Sequence, residues 1–169
     1  MARVRIALAV ALCASAAWQP ALADAIKVNR VVPYVDASVA SEEIQRDCDW
    51  NARIIDELVR QSRGTVQATD EDLTRASGQV LLLAISSMHT AGGALFSGPK
   101  WAHMQGKLMR DGKEVAHFDL NGGGLVPWHA TACGALRAVG KVLGHRTASW
   151  LRRPSNVVER DEAPSSDQH

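Results

Sequence analysis

Two cysteines, Cys48 and Cys133, each fall on the apolar stripe of a segment with helical period. If both helices cover the same layer, their thiols point at the same place. In an oxidising compartment such a pair is expected to bridge. Closing a loop of about 85 residues stabilises a fold by ~4–5 kcal/mol in the chain-entropy model. This one link fixes the relative position of the chain's two halves. Two other readings of Cys133 stand beside the staple. His129 and Cys133, four apart, suit a shared metal ion, and a Cys–His nucleophile needs the same two residues.

The compartment is written at the N-terminus. Arg3 and Arg5 precede an apolar run from Ile6 to Ala17, which is too short for a membrane span, and Ala21-Leu22-Ala23 is a small-x-small box. Residues 1–23 read as a signal peptide cleaved after Ala23, so the expected address is the periplasm. Cys13 follows Leu12 rather than a small residue, which does not fit a lipidation site. Cleavage removes two of 19 basic residues and none of 18 acidic ones, leaving a formal charge of −1. A chain so balanced has no electrostatic footprint for nucleic acid. No later stretch approaches the length of a transmembrane segment.

Residues 24–153 read as a single domain and 154–169 as a polar tail expected to be disordered. Residues 26–35 suit an N-terminal strand with Pro33 at its end or on an edge. Residues 41–64 suit one long helix, capped by Ser41, with Ile44, Cys48, Ile55, Leu58 and Val59 on one face. Residues 69–78 look like a short helical turn. The continuous apolar start of 79–88 predicts a central strand covered on both faces. Asp111-Gly112 predicts a hairpin between 100–110 and 113–120. Plain pairing of Arg110 with Lys113 sets His103 opposite Leu120 and His117 opposite Gly106, with the two histidines on opposite faces. The last helix starts at a Thr131 cap and ends before Pro154. Its inward stripe is Cys133, Leu136, Val139, Leu143, Thr147, Trp150 and Leu151. The expected fold is α+β, a two-layer sandwich in which two long helices cover one face of a mostly antiparallel sheet.

Chemistry-bearing motifs are sparse. Asn121-Gly122-Gly123-Gly124 lacks the lysine and hydroxyl of a phosphate loop and reads as a connection. Asp70, Glu71 and Asp72 lack calcium-loop spacing. No catalytic set and no cofactor motif emerges. Trp50 and Trp150 suit the core, whereas Trp101 and Trp128 flank the Gly-rich loops 91–99 and 121–130. Both loops leave the same end of the sheet. The expected binding surface is therefore Phe96, Lys100, Trp101, Asn121 and Trp128.

The stretches GGALFSGPK, LMRDGKEVAHFDLNGGG, TACGAL and VGKVLGHRTASWL resemble small exported proteobacterial proteins of unknown function. The order of elements is similar to the compact α/β domains of envelope-assembly lipoproteins, such as the curli-secretion type, over about residues 26–151. The chain departs from the lipoproteins at Cys13. The resemblance carries no catalytic residue. Export, the expected staple and aromatic loop residues without catalytic groups point to a non-enzymatic binding or envelope-assembly module, with an envelope protein or a carbohydrate as partner. An inhibitor of a periplasmic hydrolase is the alternative, followed by a thiol- or metal-dependent protein using His129 and Cys133.

Overall fold

A computed structural model describes residues 25–90, 100–124 and 131–158 of the chain. Its strands are β1 (Ile26–Asn29), β2 (Val66–Thr69), β3 (Gln79–His89), β4 (Lys100–Arg110), β5 (Lys113–Gly124) and β6 (Val157–Val158). Its helices are α1 (Glu42–Asp47), α2 (Trp50–Ser62) and α3 (Ala132–Leu151). The strands form one sheet in the order β2-β1-β3-β4-β5-β6. The fold is α+β, as the sequence predicts, but only the central ribbon β3-β4-β5 is antiparallel. β1 runs parallel to both β2 and β3, and β6 runs parallel to β5, so the sheet is mixed. Each parallel step needs a crossover, which α1 and α2 supply between β1 and β2. Residues 70–78 then cross back over β1. Lys27–Glu71 and Arg30–Asp70 pairs, both at 2.8 Å, hold this crossover in place, and Leu73 is buried in its 3-10 turn.

The helix expected over 41–64 is two helices. Ser41 caps α1 as predicted, but Cys48 is extended (φ −113°, ψ 120°) and α2 starts afresh after Asp49. The break re-phases the helix. Trp50, Ile54 and Leu58 become fully buried, and the Trp50 Nε1–H donates to the Tyr34 hydroxyl at 2.9 Å. The break also frees Cys48 to meet Cys133. The two are joined as a disulfide, with Cα atoms 5.2 Å apart across a separation of 85 residues. The Asp49 carboxylate takes Arg137 of α3 at 2.7 Å and Arg53 at 3.1 Å. The Arg137 hydrogen bond is the main cause that holds this carboxyl below its usual range.

Above the disulfide, α2 and α3 pack backbone to backbone. Gly140 and Gly144 lie one turn apart on α3. A Cβ on either would fall less than 3.0 Å from a carbonyl oxygen of α2, Trp50 for the first and Ile54 for the second. Leu136, Val139, Leu143, Thr147 and Trp150 are buried as the stripe predicts. The two glycines extend the buried surface toward α2. On the sheet side, Leu143 packs over Gly122, where a side chain would collide with it.

The ribbon departs from plain alternation at two bulges. In β5 the register shifts so that Leu108 faces Ala116 and Val115 is passed over, half exposed. In β3 the shift falls between Ile85 and Ser87. The first bulge overturns the expected placement of the histidines. His103 lies opposite Asn121 and His117 opposite Lys107, on the same face. The cause is burial. Only the shifted register turns Ala116, Phe118 and Leu120 onto the helix side with Met104 and Leu108, all of them buried. Phe118 then lies over Gly106, and edge-on to Trp150 with ring centroids 4.7 Å apart.

Two further expectations are corrected. β3 is covered on both faces only near its start, at Val80 and Leu81; Leu82 and Ala84 are half-buried because helices cover one side alone. The stretch from Pro154 is not wholly a free tail either. Val157 and Val158 pair with Phe118 and Asp119, and the Ser155 carbonyl accepts from Trp150 Nε1–H at 2.8 Å. Residues 1–24 and 159–169, with the expected signal peptide and the rest of the expected tail, lie outside the described residues.

Two variants test this packing. Replacing Cys48 or Cys133 with Ser should lower unfolding stability by about 2–5 kcal/mol, measured as a shifted denaturant midpoint. Gly144→Ala should destabilise by about 2 kcal/mol, since overpacking of about 3 outweighs the helix propensity gain of about 1. The melting temperature should fall accordingly.

Candidate functional site

The helix-free face of the ribbon carries a group of polar side chains. The bulge in β3 turns Ser87 and His89 onto it, opposite His103 and Trp101. The bulge in β5 adds His117, Asp119 and Asn121. At the upper end, the half-buried Trp101 ring stacks on His89 at 5.6 Å between centroids and 12° between planes. His103, buried, meets the same ring edge-on at 5.2 Å. Across the ladder Trp101 faces Gly123, so β5 puts no side chain beside the ring; a Cβ there would approach the Trp101 Cβ to 3.1 Å.

Below the rings, Asp119 organises the polar groups. Its Oδ1 lies 3.8 Å from His103 Nδ1, and its Oδ2 accepts from Gln105 Nε2 at 3.3 Å. Oδ1 is buried and accepts no hydrogen bond among the described residues. Further down, Glu114 pairs with Lys107 at 3.2 Å and with His117 at 3.0 Å. The Lys107 hydrogen bond, ahead of His117, holds the Glu114 carboxyl below the usual carboxylate range. A shallow cavity of about 280 Å³ lies here, lined by Gln105, Lys107, Glu114, His117, Asp119 and Val158 among others.

The expected binding residues divide. Trp101 and Asn121 are on this face. Lys100 is not: it is 3% exposed, and its Nζ donates to the Thr90 carbonyl at 2.6 Å. Alternation from Trp101 turns its side chain to the helix side. The expected loop 121–130 is corrected at its start: residues 121–124 continue β5, paired with β4 up to Lys100 opposite Gly124. Phe96, Trp128 and His129 lie outside the described residues, as do 91–99 and 125–130. Cys133 is bonded to Cys48 and offers no free thiol for a nucleophile or a metal ligand. His89, His103 and Asp119 are the members that sequence reading missed. The signal was the apolar alternation Ala116-Phe118-Leu120, whose burial requires one skipped residue.

No group of three metal-binding side chains occurs among the described residues. Ser87, His103 and Asp119 lie on three neighbouring strands, but no hydrogen bond joins Ser87 to His103, so the order of a catalytic triad is not met. The planar amides of Gln105 and Asn121, the two imidazoles and the indole make a surface rich in hydrogen-bonding groups around one aromatic plate.

No protein-family model matches the chain, and no curated protein matches it. Among solved structures the chain is similar to a PelC dodecamer from Paraburkholderia phytofirmans. The identity is 18%, over 75% of this chain and 91% of that one, with a TM-score of 0.42. No residue role passes from that protein to this one.

The Glu114 cluster has a pH signature. Its folded carboxyl is depressed, so its contribution to stability is present above the unfolded value of about 4.3. That contribution is lost as pH falls through the depressed folded value. Carboxyl chemical shifts should show Glu114 titrating below the ordinary range, and Lys107→Ala should move it back up.

Proposed function

We propose that this protein is a non-enzymatic, exported binding module of the cell envelope, of the small periplasmic class that its Gly-rich stretches resemble. It takes its ligand at the upper end of the open sheet face. The single observation that carries this reading is the Trp101 plate. The ring is half-buried, braced from β3 by His89 and from below by His103, and faces a glycine on β5. A braced aromatic ring gives contact area at little cost in conformational entropy.

The ligand class follows from what surrounds the ring. Around Trp101 stand His89, His103, Gln105, Asp119 and Asn121, which include both donors and acceptors with a single carboxylate. This set favours a carbohydrate chain, which stacks its apolar ring face on an indole and offers hydroxyls to planar side chains. It does not favour an anion, since Lys100 is turned away and occupied by Thr90. Export is supported by the signal-like residues 1–23 and by the disulfide. No helix among the described residues is long and apolar enough to cross a membrane.

Titration with bacterial envelope polysaccharides, followed by tryptophan fluorescence, tests the reading. A polysaccharide should change the emission of the intact protein. The double variant Trp101→Ala, Trp128→Ala should lose binding with a melting temperature close to the parent's. A large drop in melting temperature would make the rings structural. Silence toward every polysaccharide, with a protein captured at the same face, would favour an envelope protein or a hydrolase as partner.

A further inference from the structure

The helices α2 and α3 run side by side from the disulfide and end at one level. There both line a cavity of about 550 Å³ beside the start of β1. That volume is within the range of small-molecule sites. Its apolar lining is Ile26 and Leu151, both half-buried, with the buried Ala148. Its charged lining is Arg63 and Arg152, both exposed, and no Asp or Glu lines it. None of these residues belongs to the open sheet face.

Each arginine caps the end of its helix. A basic residue there ordinarily answers the last carbonyls and the negative pole of the helix. Here other groups answer the carbonyls. In α2 the Val59 carbonyl accepts from Ser62 Oγ and the Ser62 carbonyl from Thr65 Oγ1, both at 2.8 Å. In α3 the Ser149 and Trp150 carbonyls accept from the backbone N–H groups of Arg152 and Arg153, at 3.3 and 3.0 Å. The Arg63 side chain forms no hydrogen bond or ion pair among the described residues, and that of Arg152 donates only to Ser149 Oγ, at 2.8 Å. Each helix end carries about half a negative charge, so two guanidinium groups leave the cavity net positive. The backbone adds a second sign. Arg63 is left-handed (φ 52°, ψ 40°) at a place where glycine is the ordinary choice, although Gly64 comes next. Asp111, the other left-handed non-glycine residue among those described, sits in a hairpin turn that suits Asp. Arg63 has no such turn chemistry, and strain of this kind clusters at ligand sites.

We propose that this cavity binds an amphiphilic oxyanion. Arg63 and Arg152 hold its single carboxylate or phosphate head, and its alkyl chain lies along Ile26, Ala148 and Leu151. Planar guanidinium groups take either head through paired, charge-assisted hydrogen bonds. Two charges beside three apolar side chains suit one head on one chain, not a polyanion. The site is separate from the open face and holds whichever ligand that face takes.

Calorimetric titration of the intact protein with decanoate, decyl phosphate, decanol and acetate tests it, each kept below its micelle concentration. One of the two long-chain acids should bind saturably, and the tighter of them identifies the head. Decanol, which lacks the charge, and acetate, which lacks the chain, should each bind about tenfold more weakly or worse. The double variant Arg63→Gln, Arg152→Gln should weaken the acid by about tenfold or more and leave decanol unchanged. Arg63→Gly relieves the left-handed backbone, so it should keep or raise the melting temperature while weakening the acid. That variant carries the test if the double variant folds poorly. No saturable binding of either acid would overturn the site. So would decanol binding as tightly as the acids, or equal binding by the parent and the variants.

Discussion

The ring of Phe118 is the contact on which the rest of the architecture depends. It lies over Gly106 where any side chain would collide with it, and it meets Trp150 edge-on. Those neighbours tie together β4, β5 and α3. Its backbone partner on the outer side is Val157, so the same residue also seats β6. Burying an aromatic side chain contributes roughly 1.5–3 kcal/mol. A register that turned Phe118 to solvent would forfeit that term, and with it Leu120 and Ala116. One skipped residue at Val115 costs far less than an inverted core face.

The helix layer is held by a different mechanism. Gly140 and Gly144 let α3 approach α2 until the helix backbones touch, which leaves little room for adjustment by side-chain rotamers. The disulfide pins the same pair of helices at their start, and the Asp49–Arg137 bond adds a charged link beside it. That ion pair is solvent-exposed and contributes little by itself. Its place in the structure is as a marker of where α2 begins. The break at Cys48 serves both ends of this arrangement. It lets the thiol reach Cys133, and it resets the phase so that Trp50 and Ile54 enter the core.

These two packings leave one face of the ribbon without helices, and the polar residues collect there as a consequence. The bulges deliver His89, His103, Asp119 and Asn121 to a single surface, although their spacing along the chain gives no hint of a cluster. The site is thus a by-product of how the apolar residues are buried. The surface is rich in hydrogen-bonding groups; on it Glu114 is paired with Lys107 and His117, while Lys100 is turned inward.

The sequence by itself determined the elements and their chemistry. The α+β class, the hairpin at Asp111-Gly112, the caps at Ser41 and Thr131, the stripe of α3 and the Cys48–Cys133 link are local or pairwise properties, legible from period, turn residues and compartment. Trp101 and Asn121 were legible as surface candidates for the same reason. Tertiary structure decided the rest. The split of the first helix depends on where Cys133 stands, and the parallel edges of the sheet depend on which way the crossovers run. The bulges depend on competition between two registers for one core. Such a choice is made by the summed burial of residues from β4, β5 and α3 together, and no window of sequence contains that sum. That is why His103 and His117 read as pointing apart, and why the cluster they belong to became visible only once the sheet was assembled.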